Sequence, residues 1–338
     1  MVYRAKAPLR ISFCGGGTDV SPYPEERGGC VLSTTIDKYA WASLYPREEA
    51  RIEIASRDYG LRRSYPLGEL TFDGELDLAK GVLNHFAGPA QGLPSGAEIF
   101  THSDAPPGSG LGSSSTMVAT LVGVTAEWLR IPLTHYEIAE TTYKIERLDV
   151  RLSGGRQDQY AATFGGFNFI EFHADHTIVN PLRVPQETTN ELEYHLLLVY
   201  TGATRTSAHI VDTQMDRYRR GERSAVSGLD ELKHLAVELK NLLLRGRLDD
   251  FGRMLHQAWE AKKQLADAIT NGTIDELYAA ARECGALGGK ILGAGGGGHL
   301  LVYCPIAKKM DIAVEMERRG GRVIPFAFEG RGLQTWRV

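Results

Sequence analysis

The sequence predicts a chain of two domains, each mixing strands and helices in an α+β or α/β arrangement. Three observations lead there. The chain has 338 residues, about two domains at ~150 residues each. Alternating apolar patterns of strands and 3.6-residue periods of helices occur in both halves. Composition shifts over Asn180–Glu193, where Pro181, Pro185 and several polar residues interrupt the pattern. That stretch is expected to link a domain 1–185 to a domain 186–338.

The elements follow in order. Residues 1–60 are strand-rich, and Arg51–Ala55 alternates polar and apolar residues as a half-buried strand does. Residues 113–129 form a helix with Met117, Val118, Leu121, Val122 and Thr125 on one face. Thr134 followed three residues later by Glu137 is a capping box, with Leu133 and Ile138 at the staple positions. In the helix so opened, Glu146 falls on the side of Ala139 and Tyr143. A loop at Ser153-Gly-Gly precedes a short periodic stretch around Asp158–Ala162. Gly165-Gly166 is a turn, and Phe167–Phe172 a strand.

In the second half, His195–Tyr200 is a buried strand and 229–245 an amphipathic helix. Two more helices are expected over 248–268 and 274–287. The glycine run Gly293–Gly298 leads into a strand His299–Cys304. A helix 307–319 and a strand Arg322–Phe328 close the chain.

Composition excludes several classes. Lys+Arg number 38 and Asp+Glu 42, a net charge of -4, which lacks the basic excess of nucleic-acid binders. No apolar run approaches the ~18 residues that cross a bilayer. The first residues contain no long apolar run of a secretory leader, so a cytoplasmic location is expected. Cys14, Cys30, Cys284 and Cys304 form no C-x-x-C pair and are read as reduced thiols. The histidines form no zinc-binding pattern, and His299 is read as structural.

Glycine is in excess, 38 residues in 338 against a usual ~7%, and it is clustered. Pro106-Pro-Gly-Ser-Gly-Leu-Gly-Ser-Ser-Ser-Thr116 is the strongest cluster. Glycines let backbone N–H groups close on a ligand, and the helix start that follows favours an anion. This is a phosphate cradle, in which the Ser113 and Ser114 hydroxyls are also able to ligate Mg2+. It is not a Walker A loop, because no lysine follows the glycines. It is not a dinucleotide fingerprint either: the spacing is G-x-G-x-G and no strand is read immediately before it. Gly293–Gly298 is a second cluster, with a plain helix-to-strand turn as the alternative. Gly15-Gly-Gly-Thr-Asp19 is a third.

In this order the three segments resemble the GHMP kinase superfamily, whose first motif is similar to Ala7-Pro-Leu-Arg10, the second to Pro106–Ser115 and the third to Gly293–Gly298. The resemblance spans nearly the whole chain. The triple glycine before Thr18-Asp19, the stretch Gly155–Phe169 and the stretch Ala286–Gly298 are similar to those of the heptose 7-phosphate kinases within it. The fold implied is α+β: a two-domain GHMP kinase fold, with an N-terminal domain like domain 2 of ribosomal protein S5 and a ferredoxin-like C-terminal domain. The activity implied is ATP- and Mg2+-dependent phosphorylation of O1 of D-glycero-D-manno-heptose 7-phosphate, for nucleotide-activated heptose synthesis.

The resemblance also implies roles. Asp158 is the catalytic carboxylate that accepts the anomeric proton, and Arg10 the neighbouring cation that offsets phosphoryl charge. Pro107, Gly108, Ser109, Gly110, Leu111, Gly112, Ser113, Ser114 and Ser115 hold the nucleotide. Ser114 and Glu146 hold Mg2+, an ion that takes few protein ligands. Arg10, Gly17, Thr18, Asp19, Asp158 and Gly295 face the sugar. The sugar phosphate requires a cationic clamp, for which Arg147, Arg151, Arg156 and Arg205 are candidates, Arg156 and Arg205 being favoured by position.

Plainer alternatives stand beside these roles. Asp158 and Glu146 can be helix-face carboxylates, with Glu140 the substitute for Glu146. Arg10 can be a strand arginine in an ion pair, and Asp19 a turn cap. L-fucose, another hexose or another long-chain sugar phosphate is the alternative acceptor, and a catalytically silent sugar- and ATP-binding regulator the alternative of another class. The expected partner is a small-molecule sugar phosphate, with no nucleic acid and no membrane, the protein being a monomer or homodimer.

Overall fold

The structure is a computed structural model that describes residues 1–203 and 207–338. The strands are β1 (Tyr3–Cys14), β2 (Gly29–Arg47), β3 (Arg51–Ser56), β4 (Leu61–Pro66), β5 (Gly96–Ser103), β6 (Asn168–Phe172), β7 (Thr177–Pro181), β8 (Leu196–Tyr200), β9 (Gly288–Ile291), β10 (His299–Tyr303), β11 (Arg322–Ile324), β12 (Phe328–Glu329) and β13 (Gln334–Arg337). The helices are α1 (Tyr23–Arg27), α2 (Asp77–Gln91), α3 (Ser113–Leu129), α4 (His135–Tyr143), α5 (Gln157–Phe164), α6 (Gln186–His195), α7 (Ser207–Arg219), α8 (Arg223–Leu244), α9 (Leu248–Lys263), α10 (Gly272–Glu283) and α11 (Ile306–Arg318).

Among the described residues the strands form two sheets. The larger runs β13-β1-β2-β5-β3-β4, with β12 and β6 also on β2 and β7 on β6. Only β3 and β5 pair in parallel there. The smaller is antiparallel, in the order β11-β8-β10-β9. β1 is buried along most of its length, because helices cover the face that carries Arg10 and Ser12 as well as the face of Leu9, Ile11 and Phe13. Its pairing with β2 slips between Pro8 and Leu9 and again between Ser12 and Cys14. Such irregularities re-aim side chains, and Arg10 lies between them.

The largest core crosses both sheets. It joins Leu9, Ile11 and Phe13 of β1 to Leu232 and Leu239 of α8 and to Phe251, Leu255 and Trp259 of α9. Each fully buried side chain of this kind contributes about 1.5–3 kcal/mol. The capping box of α4 is made on both sides, and Leu133 packs in one cluster with Ile138.

Some elements differ from expectation, for physical reasons. The stretch read as a linker contains the end of β7 and most of α6. Leu192 is the buried residue of α6, so that helix has no apolar stripe to show in the sequence. The helix expected over 229–245 begins earlier, at Arg223. The closing strand divides: Arg322–Ile324 pairs with β8, and Phe328–Glu329 pairs with β2. Pro325, between them, has no N–H to give a ladder. β12 and β13 therefore return to the sheet built by the first half of the chain, which a single boundary at 185 assigns elsewhere. The strand β5 ends at Ser103, just before the loop at Pro106, where none was read. It pairs antiparallel with β2, so the loop still does not lie in a dinucleotide-binding unit.

Candidate active site

The loop from Pro106 to Gly112 enters α3, with Gly108, Gly110 and Gly112 all at positive φ. Gly110 cannot carry a side chain, because a Cβ would stand 2.5 Å from the Leu292 carbonyl oxygen. A Cβ on Gly293 would in turn stand 2.7 Å from the Gly110 Cα. The two glycine runs thus pack backbone to backbone, and this close approach is the use of the second run. Gly108, Gly110, Gly112, Ser113, Ser114 and Ser115 line a cleft, which is closed from the other half of the chain by Val211, Gln214, Lys262, Gly293 and Ala294.

Three acids face that cleft: Asp19, Glu146 and Asp158. One short segment organises all three. Gln157, Asp158 and Gln159 open α5. Gln157 donates to Asp19 from its backbone N–H, at 3.1 Å, and from Nε2, at 3.2 Å. Asp158 accepts from Arg10 Nε at 2.7 Å. Gln159 Nε2 donates to Glu146 at 2.8 Å. Successive side chains at a helix start point in different directions, and here Gln157 and Gln159 reach different acids while Asp158, between them, is the third.

Arg10 is 3% exposed, and its Nη1 donates to the Gly110 carbonyl. The backbone N–H of Arg10 also donates to Leu111 O, at 3.1 Å. Arg10 is therefore ion-paired inside the cleft, not on the surface. Glu146 is 1% exposed. It accepts from Ser114 Oγ at 3.2 Å and from Ser115 Oγ at 2.6 Å. Arg147 Nη1 lies 3.4 Å away. Glu146 is turned inward by a wider, π-helical turn over Lys144–Asp149 that continues α4, a distortion common at functional sites. Glu140, the substitute, is exposed. A buried carboxylate beside two serine hydroxyls is a donor set that suits Mg2+, which accepts one or two carboxylates and completes its shell with phosphate and water oxygens.

Asp19 is buried, and burial raises its pKa against the N–H bonds from Gly17 and Gln157 that favour its charge. The Gly17 bond is a turn bond and the Gln157 bond ties the loop to the start of α5, so Asp19 caps its loop and also faces the cleft. A Cβ on Gly155 would stand 1.9 Å from Asp19 Oδ2. Gly17 lines the cleft.

Other assigned residues lie elsewhere. Thr18 is fully buried, with Oγ1 donating to the Gly15 carbonyl at 2.8 Å, so it builds the loop and does not face a sugar. Gly295 packs on the Ile269 backbone and is not part of the cleft wall. Ser109 and Leu111 are buried, and the Ser109 carbonyl bonds the His299 ring at 2.8 Å. Burial lowers the pKa of that histidine, which has a structural place. Pro107 lines an adjoining apolar pocket with Ile54, Leu76, Leu78, Met117 and Leu121. Arg156 turns away from the cleft to Glu25 and to the His173 carbonyl. Arg151 is exposed and Arg205 lies outside the described residues. Of the arginines considered for a phosphate clamp, Arg147 lines the cleft.

Comparison with known proteins agrees with this geometry. Residues 77–166 match the model of the GHMP kinases N terminal domain, and 239–315 that of the GHMP kinases C terminal. The chain is 36% identical over 337 residues to the D-glycero-alpha-D-manno-heptose 7-phosphate kinase of Campylobacter jejuni, covering 99% of each. The protein belongs to the GHMP kinases. Among solved structures, this kinase is similar to a D-glycero-D-manno-heptose 1-phosphate kinase from Bacteroides thetaiotaomicron, with a TM-score of 0.85, 36% identity and 99% of each chain covered. The Lactococcus lactis galactokinase shares the fold at a TM-score of 0.81 and 18% identity, covering 98% of this chain and 95% of that one.

The sequence reading passed over Gln157, Gln159 and Lys262. The glutamines adjoin Asp158 but carry no charge to draw notice. Lys262 did leave a signal: it falls on the apolar stripe of α9 with Leu255, Ala258 and Trp259, a position where lysine is rare.

Proposed function

We propose that this kinase transfers the γ-phosphoryl group of ATP to the anomeric O1 of D-glycero-D-manno-heptose 7-phosphate, giving the 1,7-bisphosphate for nucleotide-activated heptose synthesis. The observation that carries the reading is the Arg10–Asp158 pair set against Gly110 of the phosphate loop. A base, a cation and a phosphate cradle then meet at one point, as phosphoryl transfer requires. The heptose itself is taken from the relatives that name it.

The nucleotide phosphates lie along Gly108–Ser115 at the start of α3, where N–H groups and the helix dipole favour anions. The base has the apolar pocket beside Pro107 and Met117. Ser114 and Glu146 are the residues that would hold Mg2+, which when bound neutralises charge on the phosphates. Asp158 takes the proton of the anomeric hydroxyl as its oxygen attacks phosphorus. Arg10 holds Asp158 in place through Nε and offsets negative charge at the transfer point. Asp19 and the loop around Gly17 position the sugar. Arg147 lines the cleft with Ser153 and Gly154 and is the arginine in place to meet the sugar phosphate.

The experiment is ATP turnover against D-glycero-D-manno-heptose 7-phosphate, free mannoheptose, L-fucose and galactose. Turnover confined to the 7-phosphate supports the reading, and turnover of a free hexose replaces the acceptor. The relatives' names differ in the phosphate they specify, 7-phosphate in one and 1-phosphate in the other. Phosphorus NMR of the product decides between them: O1 transfer gives a new phosphate coupled to H1.

A further inference from the structure

The roles above leave Lys262 without a task. It stands in the last turn of α9 and lines the cleft, yet it is 4% exposed. Its ammonium donates to the Gly293 carbonyl, and among the described residues it has no other hydrogen bond and no ion pair. An ammonium carries three donors, and buried donors left unmade are costly. Titratable groups approach it from each neighbouring element: Arg10 and the Cys14 thiol, which burial keeps neutral, from β1, Asp19 from the loop after it, Asp158 from α5, and Lys290 from β9. Burial, and then the charge of Arg10, lower its pKa to about 8, against the opposing pull of Asp19, Cys14 and Asp158.

Position narrows the ligand. Gly293, which Lys262 holds, packs on Gly110 of the phosphate loop. Arg10 holds the carbonyl of that same Gly110. Lys262 and Arg10 therefore close on one point of the loop from the two halves of the chain. Arg10 and Lys262 repel each other here, so an anion entering between them relieves both the repulsion and the unmade hydrogen bonds.

We propose that Lys262 is a further catalytic residue, its ammonium donating to a non-bridging oxygen of the phosphoryl group in transit. The inference rests on the kinase reading above. In the transfer, the acceptor oxygen forms its bond to the γ-phosphorus and gives its proton to Asp158. The bond from that phosphorus to the bridging oxygen breaks, and its electron pair leaves on ADP. Lys262 keeps its protons throughout and acts where negative charge spreads over the three equatorial oxygens.

The test is Lys262→Met, which keeps the buried stem and removes the charge. The expected result is a fall in kcat of about 100-fold or more, as for loss of one preorganised donor, with KM for ATP and sugar within about 3-fold. Binding of Mg-ADP with aluminium fluoride, a mimic of the group in transit, weakens by a similar factor, while Mg-ADP alone binds as before. A merely structural lysine would weaken both complexes alike, and that result overturns the proposal. So does a kcat within about 3-fold of wild type, or a loss confined to the KM of the sugar, which would make Lys262 a sugar ligand. Should the methionine variant not fold, the pH profile of kcat/KM carries the test. Wild-type activity falls above pH about 8 as Lys262 loses its proton, and Lys262→Arg, which stays charged, abolishes that limb. An unchanged limb overturns the proposal. Wild-type turnover of a different sugar fails the heptose reading alone, since Lys262 is then tested on that sugar. With no sugar turned over, the aluminium fluoride arm still decides.

Discussion

The two walls of the cleft are built on different plans. The wall from the first half is one continuous loop, Pro106–Ser115, whose backbone turns inward at three glycines. Behind it, every acid is held by fixed neighbours: Glu146 by Ser114, Ser115 and Gln159, Asp158 by Arg10, Asp19 by Gly17 and Gln157. The wall from the second half is made of single side chains set on separate helices, Gln214 on α7 and Lys262 on α9, with the glycine run between. Among the described residues Gln214 reaches only the Ala294 carbonyl at 3.4 Å, and Lys262 the Gly293 carbonyl. One wall is preorganised by consecutive backbone; the other offers isolated groups that a ligand completes.

Variants at the two walls sharpen this contrast. The largest effect is expected at Asp158→Asn, which keeps the shape of the site and removes the proposed base. Its kcat should fall by about 10²- to 10⁴-fold, with KM values within a few-fold. Steady-state kinetics check it, and activity within tenfold of wild type would take the proton transfer away from the first wall. Next comes Glu146→Gln. The apparent affinity for Mg2+ should weaken by at least about 10-fold, with part of the activity returning at high Mg2+. Chelation should silence the wild-type enzyme at once, as read in a coupled ADP assay.

Gly293→Ala tests the seam between the walls. Its Cβ would meet the Gly110 backbone at 2.7 Å, at a residue whose φ is +71°. Backbone on both sides leaves no room to give, so a loss of about 1–3 kcal/mol is expected, together with a raised KM for ATP. Thermal unfolding and initial rates measured on the same sample separate the two. The smallest effect belongs to Thr134→Ala, which breaks the capping box below the turn that carries Glu146. Stability should drop by about 1 kcal/mol with kcat nearly unchanged. A clear loss of Mg2+ affinity in that variant would mean that α4 sets the position of Glu146, and that the serines and Gln159 do not suffice.

The same contrast explains what could be read in advance. The glycine loop Pro106–Gly112 was legible because a close-packed turn into a helix start needs closely spaced glycines, which leave a local pattern. Helix α3 and the cap of α4 were legible because periodicity and capping are local too. Helix α6 was not, since it buries one residue and is polar elsewhere. Strands β12 and β13 were hidden because their partners, β2 and β1, lie some 290 residues or more away in sequence. The arginine clamp misled because sequence nearness to Asp158 favoured Arg156, whose guanidinium the fold commits to Glu25.

By itself, then, the sequence determined the glycine loop that enters α3, the mixed α+β make-up and the identities of Asp158, Glu146, Arg10 and Asp19 as candidates. These depend on interactions among neighbouring residues, and such interactions are written in spacing. Only the tertiary structure decided that Gln157, Asp158 and Gln159 divide three acids among them. It also decided that the second glycine run exists to lie against the first, and that Lys262 enters the site from a helix over a hundred residues away from Asp158. Those outcomes depend on close packing between segments distant in the chain, where a difference of 1 Å in approach decides which side chain faces the cleft.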